Sequence, residues 1–418
     1  MTSSSFFFWL CTMKETMFFS FLVTIAYFYV IISSVYLTKE SEDNMKKLSV
    51  LLLIALSSTL LMTGCGKKEE ASVPEQSVVV ETPSDVTEPE EVVEEVEEDL
   101  PPEEGLVRSP LTNEWVSEEA AALRPLAVMI PNDKGALPHY NISNADILYE
   151  CMVEGNITRL MAVFSDWKGL ERVGNVRSCR DYYVYWAFEW DAIYIHCGGP
   201  FYIDDVIGRP DTQNINEQVS PGGVFFRSND RKAPQNLYFN GTDIYDEATR
   251  LGYPLEARED KIDSVHFQFA SEKTPNTLEQ YEDSVTAKKI DLANAYPTSQ
   301  TWFEYNEEDG LYYRFQKPSG GAHIDAATDT QLAFKNVLVQ FAYYEVRDAK
   351  GYLAFQCIDD TRDGWYFTNG KGIHVNWEKT SNYGSTRFYD DNGNEINLNT
   401  GKTMICIVQD GKTFAYED

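Results

Sequence analysis

Arginines and amide donors crowd one stretch of a strongly acidic chain. Of 418 residues, 66 are Asp or Glu and 35 are Lys or Arg, a formal net charge of −31. Yet Gly174-Asn-Val-Arg-Ser-Cys-Arg180 sets Arg177 and Arg180 three residues apart beside a predicted helix start. Downstream, Phe225 to Tyr238 adds Arg227, Arg231, Lys232, Asn236 and Tyr238. Guanidinium forks and free backbone N–H groups suit phosphate, carboxylate or an acidic sugar. Between the two clusters, His196-Cys-Gly-Gly-Pro200 ends a strand in a turn, where Gly198 and Gly199 would let backbone approach a ligand closely. The competing reading is structural: the arginines neutralise Glu150, Glu154 or Asp191 inside the fold. The sequence leaves both open.

Catalysis has fewer footholds. Cys179, flanked by arginines, could have a depressed pKa. Neither a GxSxG elbow nor an HExxH helix is present. His196 is the one histidine near the cluster, with Asp191 as a possible polar companion. A lone strand histidine more often packs than reacts. Asp204-Asp205 with Asp211 could hold a cation, although loop aspartates usually face water. Gly401-Lys402-Thr403 lacks the upstream glycine of a phosphate-binding loop. The body's five cysteines, Cys151, Cys179, Cys197, Cys357 and Cys406, show no metal-ligand spacing. No metal and no cofactor are predicted.

The elements that must position these residues change character along the chain. In the first half, Leu126–Ile130, Asp146–Val153, Thr158–Phe164 and Asp191–Cys197 read as strands. Asp181–Trp190 and Thr242–Leu251 read as helices, with Gly252 as C-cap. From about residue 285, strand-like runs are separated by Asp309-Gly310, Lys350-Gly351, Asn369-Gly370 and Asn392-Gly393, the turn chemistry of hairpins. The expected class is α+β: a mixed α/β domain over 106–284, then a mainly antiparallel β domain, a meander or small barrel, over 285–418.

The N-terminal quarter is different material. Lys46 and Lys47 precede the apolar run Leu48–Leu61, too short for a comfortable membrane span, and Met62-Thr63-Gly64-Cys65 follows. This pattern, over 45–65, is similar to a lipoprotein signal peptide with its lipobox, making Cys65 the lipid-bearing first mature residue. Residues 1–44 read as a mis-assigned upstream start or an extra membrane segment over Met17–Leu37. Residues 66–105 carry fifteen acidic residues against Lys67 and Lys68, a local net charge of −13, with five prolines and no aromatics. Such a segment cannot offset its ordering entropy and is expected to be a solvated tether. It would reach roughly 35 Å root-mean-square, or more with self-repulsion. Its charge disfavours nucleic acid as a partner.

Leu126-Ala-Val-Met-Ile-Pro-Asn132, Asn144-Ala-Asp-Ile-Leu-Tyr-Glu150, Glu154-Gly-Asn-Ile-Thr-Arg159, Gly174–Arg180, Asp191–Gly199 and Arg231-Lys-Ala-Pro-Gln-Asn-Leu-Tyr238 occur in this order. With Asn336–Gln340, Gly370-Lys371, Trp377–Lys379 and Tyr389 through Leu398–Thr403, they resemble the YerB-like family of lipoproteins of Gram-positive bacteria. The resemblance spans roughly residues 110–415. It implies two domains of unknown function and an envelope location, and establishes no reaction. Cys179 stands where the family usually has a small residue such as alanine, which argues against a cysteine nucleophile. Gln235 stands where histidine is common. The arginines, His196 and Asn236 fit the pattern.

The combined expectation is an extracytoplasmic lipoprotein held on the outer face of the cell membrane. It would act as a binding or accessory protein of the envelope with an arginine-lined site for an anionic ligand or partner protein. Two alternatives stand beside it: an envelope enzyme acting on a phosphate- or pyrophosphate-linked glycan or lipid, and a structural protein with no small ligand.

Overall fold

The computed structural model describes residues 100–418, apart from 259–260 and 262–265. The signal peptide, Cys65, the upstream segment and all but the last residues of the acidic tether lie outside the described residues. The described residues fall in one compact unit.

The architecture is mostly β. The main strands, in chain order, are β1 Leu126–Pro131, β2 Ile147–Met152, β3 Thr158–Phe164, β4 Ile193–His196, β5 Asn214–Asn216, β6 Val285–Thr286, β7 Lys289–Asp291, β8 Trp302–Asn306, β9 Leu311–Gln316, β10 Asn336–Ala342, β11 Asp359–Thr368, β12 Lys371–Lys379, β13 Arg387–Tyr389, β14 Thr403–Gln409 and β15 Ala415–Glu417. An eleven-stranded sheet runs β6-β12-β11-β10-β14-β2-β3-β1-β4-β5, with β13 on β12. A smaller sheet holds β9, β8, β7 and β15 in that order, with Gly321–Ala322 and Ala333–Phe334 against β9.

Burial pattern explains which strands lie at the centre. β1, β2, β3 and β14 are buried at every position. Continuous apolar runs such as Leu-Ala-Val-Met-Ile suit strands covered on both faces. β9 alternates instead, with Tyr312, Arg314 and Gln316 inward, the period of a half-covered strand. Asn369-Gly370 supplies two consecutive positive-φ residues and joins β11 to β12 in register Thr368↔Lys371, as a two-residue hairpin requires.

The β-rich region does not close on itself. β14 pairs in parallel with β10 on one side and with β2 on the other. The last long strand therefore splices the C-terminal region into the N-terminal sheet, where the sequence suggested a separate antiparallel meander or barrel. One continuous hydrophobic core contains residues of both regions.

Helices are few. α1, Asp181–Phe188, buries Tyr182, Tyr183, Val184, Trp186, Ala187 and Phe188. It lies against β2 and β3, where the Tyr183 hydroxyl donates to the Arg159 carbonyl at 2.7 Å and the Tyr182 hydroxyl to the Met152 carbonyl at 2.9 Å. α2, Gly241–Leu251, is amphipathic, burying Ile244 and Ala248, and ends at Gly252 with φ +72°. That left-handed cap, as expected, lets the Gly252 N–H close back on Ala248 and Thr249 carbonyls.

Two buried polar nodes fasten the regions together. Glu150 on β2 accepts from Thr158 (2.7 Å), Asn132 (3.1 Å), Ser299 (3.0 Å), Thr301 (3.0 Å) and the Arg314 guanidinium (2.7 Å). Arg314 in turn meets His323 Nδ1; His323 Nε2 lies 2.9 Å from His139 Nδ1, and His139 Nε2 lies 2.7 Å from the Pro131 carbonyl. A guanidinium can only donate, so His323 Nδ1 accepts, its Nε2–H donates to His139, and His139 Nε2–H donates to Pro131. The chain is complete with both rings neutral. In the second node, Glu189 accepts from Tyr149 (2.6 Å), Lys379 (3.2 Å) and both the backbone N–H and the hydroxyl of Thr386.

Candidate functional site

β1 and β4 run parallel, and their carboxyl ends open on the same side of the sheet. The chain from Arg177 to Cys179 is strung between them. The Arg177 N–H donates to the Met129 carbonyl at 2.8 Å, Cys197 N–H to the Arg177 carbonyl at 3.0 Å, and Cys179 N–H to the Gly198 carbonyl at 2.9 Å. Arg159, at the start of β3, faces Pro131 and Cys151 across the sheet. Three arginines thus meet where the parallel strands end, the position at which open sheets containing parallel strands commonly receive ligands.

These arginines differ in what holds them. Arg180 is buried and forked onto Glu154, with Nε 3.0 Å from Oε2. Burial opposes its charge, but Glu154 holds the guanidinium above its usual range. Arg159 is buried too, and donates to the Ser178 carbonyl. Burial and then the neighbouring Arg180 lower it to about 10, with Arg177 adding to the repulsion. Arg177 is half-buried. Its Nε is buried and has no hydrogen-bond partner among the described residues.

Arg227, on the short strand Phe226–Arg227 of a separate three-stranded sheet, approaches the same end. It donates to Glu217 at 3.0 Å and to Asn236 at 3.2 Å. Glu217 also accepts from the Cys197 thiol at 3.2 Å, and Cys197 feels the positive charge of both Arg227 and Arg177. Four guanidinium groups therefore share Glu154 and Glu217, leaving a local surplus of positive charge in a chain of net charge −31.

The other predicted residues go elsewhere. Arg231 donates to the Ala136 and Pro138 carbonyls at 2.8 and 3.0 Å, clamping a loop. Its neighbour Lys232 is exposed. Tyr238 stacks with Arg172, 4.7 Å from the ring centroid, and Arg172 pairs with Asp230 and covers Tyr140. Asn236 also donates to the Ser228 carbonyl at 2.9 Å. Asp191 is buried at the opposite end of β4, gripping Arg258 at 2.7 Å and Arg124 at 3.2 Å. His196 is fully buried: Nδ1 donates to the Gly198 carbonyl at 2.9 Å, Nε2 lies 3.2 Å from Asn214 Oδ1, and burial lowers its pKa. Gly198 (φ +62°) and Gly199 make room for the protein's own side chains. A Cβ on Gly198 would meet Gln218 at 2.6 Å, and one on Gly199 would meet Ile203 at 2.2 Å.

Cys179 and Asp211, weighed in the sequence for nucleophilic and cation-binding roles, sit in surroundings that suit neither. The Cys179 thiol is pushed up to about 12, because full burial outweighs the flanking arginines. Asp211 is taken by Arg209, at 2.6 Å. Among the described residues, no group of three or more His, Cys, Asp or Glu could hold a metal ion, and Cys151, Cys179, Cys197, Cys357 and Cys406 are free thiols.

Arg159 escaped the sequence reading. Its signal was local: one charged residue in the otherwise apolar run Arg-Leu-Met-Ala-Val-Phe164. A charge there must find a partner or a purpose at the sheet edge.

Residues 111–254 match the family model described as the N-terminal domain of a protein of unknown function (DUF3048), and residues 290–405 match its C-terminal domain. The chain is 27% identical over 304 residues to "Putative lipoprotein YerB" of Bacillus subtilis (strain 168), covering 73% of this chain and 87% of that one. The crystal structure of the YerB protein from Bacillus subtilis superposes with a TM-score of 0.63 at 25% identity, over 74% of this chain and 99% of that chain. Among the described residues, no helix is long and apolar enough to cross a membrane.

Proposed function

We propose, for a chain that belongs to the YerB-like (DUF3048) family, an extracytoplasmic binding lipoprotein that is lipid-anchored through Cys65 and captures an anionic envelope ligand at the Arg159/Arg177 edge. The mixed first region carries the site and the β-rich second region braces it. The acidic tether gives it reach from the membrane. Its like charge keeps it from folding back onto an anionic bilayer.

The observation that carries the reading is Arg177. A half-buried guanidinium with a buried, unpartnered Nε costs about 1–3 kcal/mol in unmet hydrogen bonding. Beside it, the charge of Arg159 is disfavoured by burial first and then by Arg180, with Arg177 adding to the repulsion. An anion bound between the two guanidinium groups would compensate positive charge that the chain itself leaves unpaired there.

The test is thermal unfolding of residues 100–418 with citrate, inorganic phosphate, pyrophosphate and glucuronate. At a hundred times its Kd, a ligand stabilises by about 2.7 kcal/mol. Stabilisation that Arg177→Ala abolishes supports the site; none with any of the four anions sinks it. The anchor is tested separately: Cys65→Ala should move the protein from the membrane fraction to the soluble one.

A further inference from the structure

Beyond β4, the chain turns through Gly198-Gly199-Pro200 into the single-turn helix Phe201–Ile203. Ile203 packs into the space that Gly199 leaves, its Cδ1 standing where a Cβ would be. That packing turns Phe201 outward, and the ring is 74% exposed. Phe201 is thus an open aromatic ring on the strand end that carries the arginines.

Phe201 is the outer member of a row of rings. Its centroid lies 5.8 Å from Tyr202, and Tyr202 lies 5.4 Å from Tyr352, both edge-on. The row ends at charge: the Arg180 guanidinium is 5.6 Å from Tyr352, and Arg347, paired with Asp181, sits 4.2 Å over Tyr202. The Tyr202 hydroxyl is buried without a partner. An edge-on contact covers at most one face of one ring in each pair, so Phe201, 74% exposed, keeps a ring face open.

Resting on the anion-site reading, we infer that the edge binds an acidic glycan, with Phe201 stacking on a sugar ring while Arg177 and Arg159 hold its acid group. A small anion needs the arginines alone. An acyl chain needs an enclosed apolar slot, which one open ring does not provide. A pyranose carrying an acid group offers what this end of the sheet complements: a C–H face for the Phe201 ring and an acid group for the guanidinium pair.

The experiment measures binding of three probes to residues 100–418: inorganic phosphate, a glucuronate-containing oligosaccharide, and a glycerol-phosphate oligomer that lacks any sugar ring. Each is titrated into wild type, Phe201→Ala and Arg177→Ala. Phe201 is exposed, so its truncation should leave the fold intact. The proposal expects the oligosaccharide to bind more tightly than the other probes, to weaken at least tenfold in Phe201→Ala, and to be lost in Arg177→Ala. Phosphate binding should not change in Phe201→Ala. An oligosaccharide affinity that Phe201→Ala leaves untouched overturns the proposal, as does a glycerol-phosphate oligomer that binds as tightly as the oligosaccharide. In either case phosphate binding lost in Arg177→Ala would keep the anion site. If no probe binds wild type, the anion-site reading itself falls and takes the proposal with it.

Discussion

Arg314 and Arg177 are the same side chain put to opposite uses. Arg314 is fully buried and faces Glu150 at 2.7 Å, with Thr301 at 3.2 Å and His323 as further partners, and its Nε, like that of Arg177, has none. Arg177 lies at the surface end of the sheet near Arg159 and makes no ion pair among the described residues, which is where it differs from Arg314. A charge taken out of water must be compensated. At the Glu150 node the protein supplies the compensation from its own C-terminal region. At the arginine edge it supplies too little. The contrast separates charges that hold the fold together from charges that wait for something else.

The sharpest way to break that contrast is to remove the compensation at the core. Arg314→Met leaves Glu150 buried with only neutral donors. Breaking a buried pair by removing one partner costs about 3–5 kcal/mol, and we expect a loss of that size in urea unfolding of residues 100–418. A loss below about 1 kcal/mol would mean that the node contributes little to joining the two regions.

The second effect is pH-dependent. Burial lowers His139 from 6.5 to about 4, and burial with Arg314 drives His323 well below its usual value. At pH 7 both are neutral folded and unfolded, and their contribution is fully present. As pH falls below 6.5 the unfolded chain takes up protons that the native state refuses, so stability falls. For His139 alone the loss reaches about 3 kcal/mol by pH 4. His196 and His266 are also lowered by burial and add to the slope. Glu189 is held below the usual carboxylate range despite its burial, by Lys379 first, and its contribution is lost only at lower pH. Above pH 5 the loss therefore comes from the histidines, opposed by Asp146 and Asp181, whose carboxyls burial raises. His139→Gln should be visibly flatter than wild type between pH 7 and 5; equal slopes would refute the neutral His323–His139 chain.

The same contrast marks what the sequence could disclose. Apolar runs such as Leu126–Ile130 and Thr158–Phe164, and the turn at Asn369-Gly370, were legible because period and turn chemistry are local properties. The neighbours of a strand are not. Nothing in Thr403–Val408 states that it will lie beside Ile147–Met152 rather than close a barrel, since that pairing joins segments some 250 residues apart. Charges follow the same rule. The sequence offered Glu150, Glu154 and Asp191 as partners for the clustered arginines. Only Glu154 takes one of them, Arg180. Glu150 takes Arg314, and Asp191 takes Arg124 and Arg258. The clustering of arginines was visible; which of them would be left over depended on partners brought from elsewhere in the chain.

The third effect is small in stability and large in binding. Arg177→Ala removes no native ion pair and relieves an unmet buried Nε, so its unfolding free energy should not fall by more than about 0.5 kcal/mol and should rise where that unmet group is costly. The stabilisation that an anion gives wild type should vanish with it. A variant that loses more than about 2 kcal/mol without ligand would place Arg177 with Arg314, as a side chain the fold depends on.

Lys232 should give the smallest effect, and it tests where the edge stops. It sits beside Arg231 in the sequence cluster, but it is exposed, whereas Arg231 is spent on the Ala136 and Pro138 carbonyls. An exposed lysine acts through screened electrostatics alone, worth at most about 1 kcal/mol. Lys232→Ala should leave stability unchanged and weaken anion binding by less than about threefold at low ionic strength, a difference that disappears in 0.5 M salt as the screening length shortens. A tenfold, salt-resistant loss would put Lys232 in direct contact with the ligand and extend the binding edge across the Arg231 loop.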